Sequence, residues 1–172
     1  MSDSQETIYL SDDKIFYTVE GEGELVGYPS VFMRLSMCNL TCQGFASESS
    51  PHGCDSFISW RVKNRMTLGE VVSMMEDKGY KDHVYNGAIW KITGGEPLVQ
   101  QKALLKLLHY IEVEWGWVPR IDFETNATIL PDKEWTRVKA TFTTSPKMSN
   151  NGDPVDRRYK PEVLEWHALQ GS

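Results

Sequence analysis

The sequence lacks any long hydrophobic run and any excess of positive charge. No apolar stretch approaches the roughly 18 residues that would span a membrane, and residues 1–7 are polar and acidic, unlike a secretory signal. The 18 Lys and Arg residues face 24 Asp and Glu residues, which gives a formal net charge of −6. This balance argues against a general nucleic-acid-binding or membrane-binding surface. We expect a cytoplasmic protein.

Internal repeats, low-complexity segments and an obvious interdomain linker are also lacking. The 172 residues, 40% of them hydrophobic, are enough for one domain with its own core. Six Trp and seven Tyr residues argue against disorder. The sequence therefore predicts a single domain over residues 1–172.

Cysteine is scarce, and its placement is the most informative feature of the chain. The only three cysteines, Cys38, Cys42 and Cys54, lie within seventeen residues. In a reducing compartment, clustered thiols more often bind metal than form disulfides. A four-iron cluster held entirely by protein uses four thiolates, so three would leave one iron open. A zinc site completed by His52, and buried cysteines without any metal, also stay open from the cysteines alone.

Strands and helices alternate along the predicted secondary structure. Strands are predicted at 15–19, 30–35, 88–93, 120–124 and 138–143, and helices at 67–79, at 100–114 and from Pro161 onward. Thr67 and Glu70 form a capping-box pattern at the start of the first helix. The alternation predicts an α/β fold with a mainly parallel sheet and helices outside it. No strand follows the last helix, so we expect a sheet shortened or truncated at its C-terminal end.

Unusual polar motifs follow several of these strands. They are Gly21-Glu22-Gly23, Gly94-Gly95-Glu96-Pro97, Thr125-Asn126 and Ser145-Pro146-Lys147. Ligands of parallel α/β folds gather at the carboxyl ends of strands, so we expect these motifs to converge on one site. Paired glycines let the backbone approach a ligand closely, although many such turns before helices are only turns.

Taken together, the cysteines and the Gly94-Gly95-Glu96-Pro97 turn resemble the radical S-adenosylmethionine (SAM) enzymes. An ordered set of motifs narrows the resemblance to the 7-carboxy-7-deazaguanine synthase family, over roughly residues 14–148. In chain order, the motifs lie at residues 20–23, 27–29, 31–35, 38–42, 54–56, 93–97, 124–126 and 145–147.

The resemblance implies a fold, a reaction and a set of cofactors. The fold would be a partial (β/α) barrel in which a 4Fe–4S cluster, SAM and Mg²⁺ act on 6-carboxy-5,6,7,8-tetrahydropterin. A radical would take hydrogen from C6, the ring would contract, and ammonia would leave to give 7-carboxy-7-deazaguanine for queuosine biosynthesis. An electron donor such as flavodoxin and a homodimer are implied as well. A radical SAM activating enzyme with a protein partner, and a non-catalytic zinc-binding domain, stay as alternatives.

The resemblance also implies roles for individual residues. No protein residue would be catalytic, because the cluster and SAM generate the radical. Cys38, Cys42 and Cys54 would hold the cluster, and Ser56, where Thr is usual, would bind magnesium. Glu20, Glu22 and Arg34 would contact the pterin. The SAM side would be lined by Gly94, Gly95, Glu96, Glu124, Thr125, Asn126, Ser145 and Lys147.

Three departures from the family pattern stand out. Glu20 occupies a position where Gln is common, and an ionised Glu can only accept hydrogen bonds. The usual third cysteine position holds Phe45, so an insertion must expand the cluster loop, residues 38–56, and bring Cys54 into that role. The aromatic residue that often touches the SAM adenine is replaced by Gly53, and we expect Phe45 or Phe57 to substitute for it.

Overall fold

A six-stranded sheet organises the chain in the computed structural model, which describes residues 3–170 apart from the side chains of residues 3, 12–14 and 170. The strand order is β3-β1-β2-β4-β5-β6. The neighbours β2, β4, β5 and β6 pair in parallel, whereas β1 pairs antiparallel with both β2 and β3. The strands are β1 Thr7–Val19, β2 Pro29–Leu35, β3 Asn64–Thr67, β4 Ile89–Gly94, β5 Ile121–Thr125 and β6 Thr141–Thr144.

Seven α-helices accompany the sheet within the described residues. The helices are α1 Phe57–Arg61, α2 Leu68–Asp77, α3 Tyr80–Tyr85, α4 Gln101–Trp115, α5 Lys133–Arg137, α6 Val155–Arg158 and α7 Pro161–Gln170. The predicted capping box is present, since Glu70 N donates to Thr67 Oγ1 at 3.2 Å and Thr67 N donates to Glu70 Oε2 at 2.7 Å. None of the helices in this part of the chain is long and apolar enough to cross a membrane.

The two faces of the central strands differ sharply in polarity. Residues of one face are buried and apolar, and they pack in one cluster with side chains of α2 and α4. Examples are Met33, Ile92 and Phe123, which are at most 1% exposed. The alternate residues form a polar face, with Arg34, Thr93, Glu124 and Thr143 among them. Because side chains alternate along a strand, this pattern directs the polar groups together to one side of the sheet.

The predicted α/β class and mainly parallel, partial barrel are confirmed: three of the five strand pairings are parallel, and β3 and β6 form the two edges of an open sheet. The first pairings differ from a pure β–α alternation because β1 and β2 are joined by a short connection at residues 20–28 and therefore run antiparallel.

The sixth strand lies later than the predicted range 138–143. Residues 133–137 form α5, and Val138 N still donates to Glu134 O at 3.2 Å. Lys139 then adopts a left-handed backbone with φ of 54°, which stops any extended strand at that point. The sequence also did not reveal β3 or the short helices α1, α3, α5 and α6, and it placed the start of β1 eight residues too late.

Candidate active site

A polar cavity of about 530 Å³ opens on the polar face of the sheet. Every residue predicted for the site lines it except Glu96. The predicted residues that line it are Glu20, Glu22, Arg34, Cys38, Cys42, Cys54, Ser56, Gly94, Gly95, Glu124, Thr125, Asn126, Ser145 and Lys147. Motifs separated by more than a hundred residues in sequence therefore meet at one place. Those that follow β2, β4, β5 and β6 come from the carboxyl ends of parallel strands. Glu20 and Glu22 instead follow the antiparallel β1 and lie beside the start of β2.

The three cysteines contribute free thiols to this cavity. Cys42 is buried, and Cys38 and Cys54 are half-buried. Burial raises the pKa of Cys38 to about 11, with the Glu96 carboxylate and the other two cysteines acting in the same direction. A thiolate at Cys38 therefore needs a positive partner, and an iron–sulfur cluster would supply one. The donor set fits such a cluster.

The third thiol of the cavity comes from Cys54, and Phe45, at the usual position of the third cysteine, lies outside the cavity. Phe45 is 38% exposed and does not line it. Gly53 allows the expanded loop to fold back: it has φ of +85°, and a Cβ there would lie 2.4 Å from Cys42 O. Since only glycine tolerates that approach, the backbone beside Cys54 contacts the backbone of Cys42 directly.

The zinc alternative required His52 as a fourth ligand. The His52 ring instead stacks on Phe57, with 4.6 Å between centroids, and does not line the cavity. Among the residues whose side chains are described, no group of three or more His, Cys, Asp or Glu residues could hold a single metal ion.

The Gly94-Gly95 turn packs against the cysteine loop. A Cβ on Gly95 would lie 2.2 Å from Met37 O and 2.9 Å from Cys38 Cβ, so no larger residue fits there. Gly95 N and Glu96 N donate to Leu35 O and Met37 O at 3.2 and 2.9 Å. The glycines thus bring β4 against the end of β2, and both also line the cavity.

The side chain of Glu96 lies behind the cavity wall and is fully buried. Its carboxylate accepts hydrogen bonds from Thr125 Oγ1 at 2.9 and 3.0 Å, from Asn126 N at 2.7 Å and from Leu98 N at 3.0 Å. Burial raises the pKa of Glu96, while these hydrogen bonds oppose the rise. Through these hydrogen bonds, Glu96 connects the Gly94-Gly95 turn to Thr125 and Asn126 at the end of β5.

The remaining residues of the predicted SAM side are held by local hydrogen bonds. Asn126 Nδ2 donates to Asn39 Oδ1 at 3.0 Å, which ties the end of β5 to the cysteine loop. Lys147 Nζ donates to Ser145 Oγ at 2.9 Å. Amide, hydroxyl and ammonium groups therefore surround the Gly94-Gly95 turn and can bind the polar groups of a ligand.

A buried ion cluster forms the floor beside the predicted pterin residues. Lys91 is fully buried, and its Nζ lies 2.7 Å from both Glu20 Oε2 and Asp122 Oδ2 and 3.5 Å from Glu124 Oε1. Burial would lower the pKa of Lys91, but the hydrogen bonds to Asp122 and Glu20 outweigh it and raise the pKa. Lys91 is therefore a charged residue, and one ammonium faces three carboxyl groups.

The pairing with Lys91 explains why a Glu, and not the usual Gln, occupies position 20. Glu20 Oε1 accepts hydrogen bonds from Gly21 N and Glu22 N at 2.9 Å each, while its Oε2 pairs with Lys91. A carboxylate satisfies that ammonium, which a Gln could not neutralise. Glu20 thus shapes the cavity wall, and its contact with the pterin stays a prediction.

Glu22 and Arg34 face the cavity from its outer part. Glu22 is exposed and carries an acceptor for N–H groups. The Arg34 guanidinium lies 5.7 Å from the centroid of the Phe16 ring, within the range of a cation–π interaction. A carboxylate and a guanidinium on one rim can bind a ligand that has both N–H donors and an anionic group.

Ser56 and Asp55 form the predicted magnesium side of the cavity. Asp55 Oδ1 accepts hydrogen bonds from Ser56 N at 2.6 Å and from Ser56 Oγ at 3.2 Å. Magnesium commonly takes one or two carboxylate or hydroxyl ligands and completes its shell with water and substrate oxygens. The Asp55–Ser56 pair offers such oxygen ligands.

Sequence reasoning missed several residues that line the cavity, above all Trp60. Neither Phe45 nor Phe57, the expected aromatic neighbours of the adenine, lines it, whereas Trp60 does. Trp60 lies one turn after Phe57 on α1, and the i, i+3 spacing on a short helix was the available signal. The others are Gly21, Phe32, Asp55, Thr93 and Thr143.

Comparison with known proteins gives the family of the chain. It is 33% identical over 125 residues to the 7-carboxy-7-deazaguanine synthase of Halobacterium salinarum, covering 72% of this chain and 41% of that protein. It is 30% identical over 157 residues to the 7-carboxy-7-deazaguanine synthase of Pyrobaculum aerophilum, covering 89% of this chain and 63% of that protein. The chain belongs to the 7-carboxy-7-deazaguanine synthase family. It spans about half the length of the curated relatives it matches.

The fold matches that of a solved structure. The crystal structure of QueE from Escherichia coli aligns with a TM-score of 0.62 at 20% identity, covering 92% of this chain and 67% of that one. This likeness supports the partial barrel fold. No family model matches the chain.

Proposed function

We propose that this chain is a radical SAM lyase that contracts the ring of 6-carboxy-5,6,7,8-tetrahydropterin to form 7-carboxy-7-deazaguanine with loss of ammonia. One observation carries the proposal: the three thiols of the cluster loop, the Gly94-Gly95 turn and the Glu22/Arg34 rim line one cavity. The family gives that combination its chemical meaning, because its members carry the name of this product.

The cysteines and the glycine turn would hold the two cofactors. Cys38, Cys42 and Cys54 fit a 4Fe–4S cluster with one iron left for SAM. When bound, the cluster and SAM supply the radical chemistry that removes a hydrogen from the substrate. The chain's own contribution is to keep these groups on one side of a cavity walled by the Gly94-Gly95 turn and by Trp60.

The rim and floor of the cavity would orient the pterin. Glu22 would accept hydrogen bonds from amino and ring N–H groups, and Arg34 would pair with the substrate carboxylate. Lys91 would keep Glu20 and Glu124 in place beneath the substrate through contacts of 2.7 and 3.5 Å. Ser56 and Asp55 would hold Mg²⁺, which would supply a hard positive charge for oxygen ligands.

The partners follow from this chemistry. The substrate is a small molecule, and the cluster needs a one-electron donor such as flavodoxin. A reducing cytoplasm would keep the three thiols free before cluster assembly. A homodimer is part of the same proposal.

Product analysis tests the reaction directly. The anaerobically reconstituted chain is incubated with SAM, a reductant and 6-carboxy-5,6,7,8-tetrahydropterin, and the mixture is analysed by mass spectrometry. We expect 5′-deoxyadenosine and 7-carboxy-7-deazaguanine. Deoxyadenosine alone would reject the substrate but keep the radical SAM assignment, including a protein-activating role. If neither product forms, and the protein binds zinc but takes up no iron, the chain is a non-catalytic zinc-binding domain.

Substitution of the shifted cysteine tests the expanded cluster loop. We expect Cys54→Ala to lose iron uptake and both products, since only two thiols of the cavity would remain. Phe45→Ala is the matched control, because Phe45 occupies the usual third position yet does not line the cavity. Equal iron content in the two variants would contradict the role of Cys54.

A further inference from the structure

Asp153, a buried residue outside the span of the family motifs, binds the backbone of the cluster loop. It is 6% exposed, and its carboxylate accepts hydrogen bonds from Cys42 N at 2.9 Å and from Thr41 N at 3.0 and 3.2 Å. Thr41 Oγ1 donates a further bond at 3.0 Å. One carboxylate therefore binds the backbone of Cys42, which carries the second thiol, and of the preceding residue, Thr41.

Asn151 lies beside Asp153 and reaches the thiol itself. It is fully buried, and its Nδ2 lies 3.7 Å from Cys42 Sγ and 3.1 Å from Asp153 Oδ2. Its Oδ1 accepts a hydrogen bond from Asp153 N at 3.0 Å. Because the acceptor end is occupied, the amide is oriented with its N–H groups toward the sulfur and the carboxylate.

Cys42 has a backbone conformation that needs such support. Its φ of 50° lies in the left-handed region, which is unfavourable for residues other than glycine. The surrounding backbone is in close contact: a Cβ on Gly44 would lie 2.1 Å from Asn150 O, and one on Gly152 would lie 2.7 Å from Gly44 N. The two chain segments therefore fit only in this register.

Arg157 extends the same contact to the first half of the loop. Its guanidinium donates to Asn39 O, and its Nη1 lies 3.9 Å from Asp153 Oδ1. We call residues 149–158 the clamp segment, because they contact the cluster loop at residues 39, 41, 42 and 44. The family motifs end before this segment and give its residues no role.

We propose that the clamp segment positions the second cluster ligand, with Asp153 fixing the backbone of Cys42 and Asn151 donating a hydrogen bond to its sulfur. This inference rests on the proposed cluster. A hydrogen bond to a ligating sulfur stabilises the more negative, reduced cluster and so raises its reduction potential. Both residues are positioning residues, since they act through Cys42 and touch neither substrate nor SAM.

The reduction potential of the reconstituted full chain tests the role of Asn151. We expect Asn151→Leu to take up the cluster but to shift its midpoint potential downward, because the N–H donor to the sulfur is lost. The matched control is Asn150→Leu, which changes the same residue type at an exposed neighbouring position. Equal potentials in Asn151→Leu and the wild type would overturn the tuning role.

Cluster retention tests the role of Asp153. In the presence of an iron chelator, we expect Asp153→Ala to retain its cluster about 10- to 100-fold less well than the wild type, the loss usual for partners of metal ligands. Asp153→Asn keeps an acceptor for Cys42 N and should restore part of the retention. Retention equal to the wild type in a folded Asp153→Ala variant would overturn the positioning role.

The controls separate this inference from the proposed function. Thermal unfolding followed by circular dichroism shows whether each variant folds, and if Asp153→Ala does not fold, the potential of Asn151→Leu decides. A wild-type chain that takes up no cluster would reject the proposed function and this inference together. A wild-type chain that takes up the cluster, with variants that behave identically, would reject this inference alone.

Discussion

Lys91 is the single residue on which the buried charges beneath the cavity depend. It pairs at 2.7 Å with Glu20 from the end of β1 and with Asp122 from β5, and it has no exposed surface. Removing one partner of a buried ion pair leaves the opposite charge without compensation, which costs more than the pair itself contributes. The stability of the sheet should therefore be sensitive to this one ammonium.

We predict that Lys91→Met lowers the free energy of unfolding by about 3 to 5 kcal/mol. Lys106→Met is the matched control, because Lys106 also pairs with a carboxylate, Glu6 Oε1 at 2.6 Å, but both side chains are more than two-fifths exposed. Exposed pairs contribute about 1 kcal/mol or less, so the control should change little. Denaturant unfolding measures both values. Equal losses would show that the buried pairing carries no special weight.

Glu124 makes the stability of the fold depend on pH. Burial raises its pKa, as do the nearby carboxylates of Glu20 and Glu22, while the Thr93 hydrogen bond and Lys91 act in the opposite direction. A carboxyl whose pKa is raised on folding contributes stability below its unfolded pKa of about 4.3, and this contribution is lost as pH rises through the folded value.

We predict that Glu124→Gln removes this loss. The unfolding free energy of the variant relative to the wild type should therefore increase as the pH rises above about 4, since only the wild type must ionise a half-buried carboxyl with a raised pKa. Denaturant unfolding at several pH values measures the difference. A difference that is independent of pH would contradict the raised pKa of Glu124.

Single residues also mark the limit of prediction from the sequence. The three cysteines could be identified because their spacing is unusual in itself. The pairing of Glu20 with Lys91 could not, because the two residues lie 71 positions apart, and their strands β1 and β4 are brought near each other only by the pairing of both with β2. The clamp of Asp153 on Cys42 spans 111 positions and left no local pattern.

At the scale of elements, the junction between β2 and β4 sets the position of the Gly94-Gly95 turn. Gly94 pairs with Leu35 in the parallel register, has φ of +131°, and would place a Cβ 2.0 Å from Leu35 O. Any side chain would meet both backbone strain and a backbone clash. The Gly94-Gly95 turn therefore reaches the cavity because β4 approaches the end of β2 closely, with no side chain at Gly94 between them.

We predict that Gly94→Ala lowers the free energy of unfolding by at least about 1 to 3 kcal/mol. Gly69→Ala is the matched control: Gly69 lies in α2, and its added Cβ would be 3.5 Å from the nearest atom. Alanine in a helix is more favourable than glycine by about 0.5 to 1 kcal/mol, so the control should stabilise the protein. Thermal or denaturant unfolding distinguishes the two, and a tolerated Gly94→Ala would contradict the packing argument.

Prediction of elements succeeded where a periodic pattern was long. The helix predicted at 100–114 matches α4, and the predicted capping box is present at the start of α2. β3 failed because it has only four residues and pairs with β1 alone, at the edge of the sheet. β6 was placed too early because the apolar Val138 and Ala140 suggested strand, whereas their partly buried side chains pack at the end of α5.

At the scale of the whole molecule, the polar face of the sheet and the cluster loop form one functional surface. Alternation along β2, β4, β5 and β6 directs Arg34, Thr93, Glu124 and Thr143 toward the cavity and leaves apolar residues for the helices. The cluster loop closes one end of this surface, and the clamp segment holds the loop. The fold therefore serves mainly to bring three thiols, a glycine turn and a charged rim together.

Spectroscopy of the reduced cluster tests the central claim most directly, namely that three cysteines hold a four-iron cluster with one iron open to SAM. The chain is reconstituted anaerobically, its iron and sulfide are determined, and the electron paramagnetic resonance spectrum of the reduced protein is recorded with and without SAM. We predict iron and sulfide in the proportions of a 4Fe–4S cluster and a spectrum that changes when SAM is added. A chain that takes up no iron and sulfide, or a cluster whose spectrum is unaffected by SAM, would contradict the account.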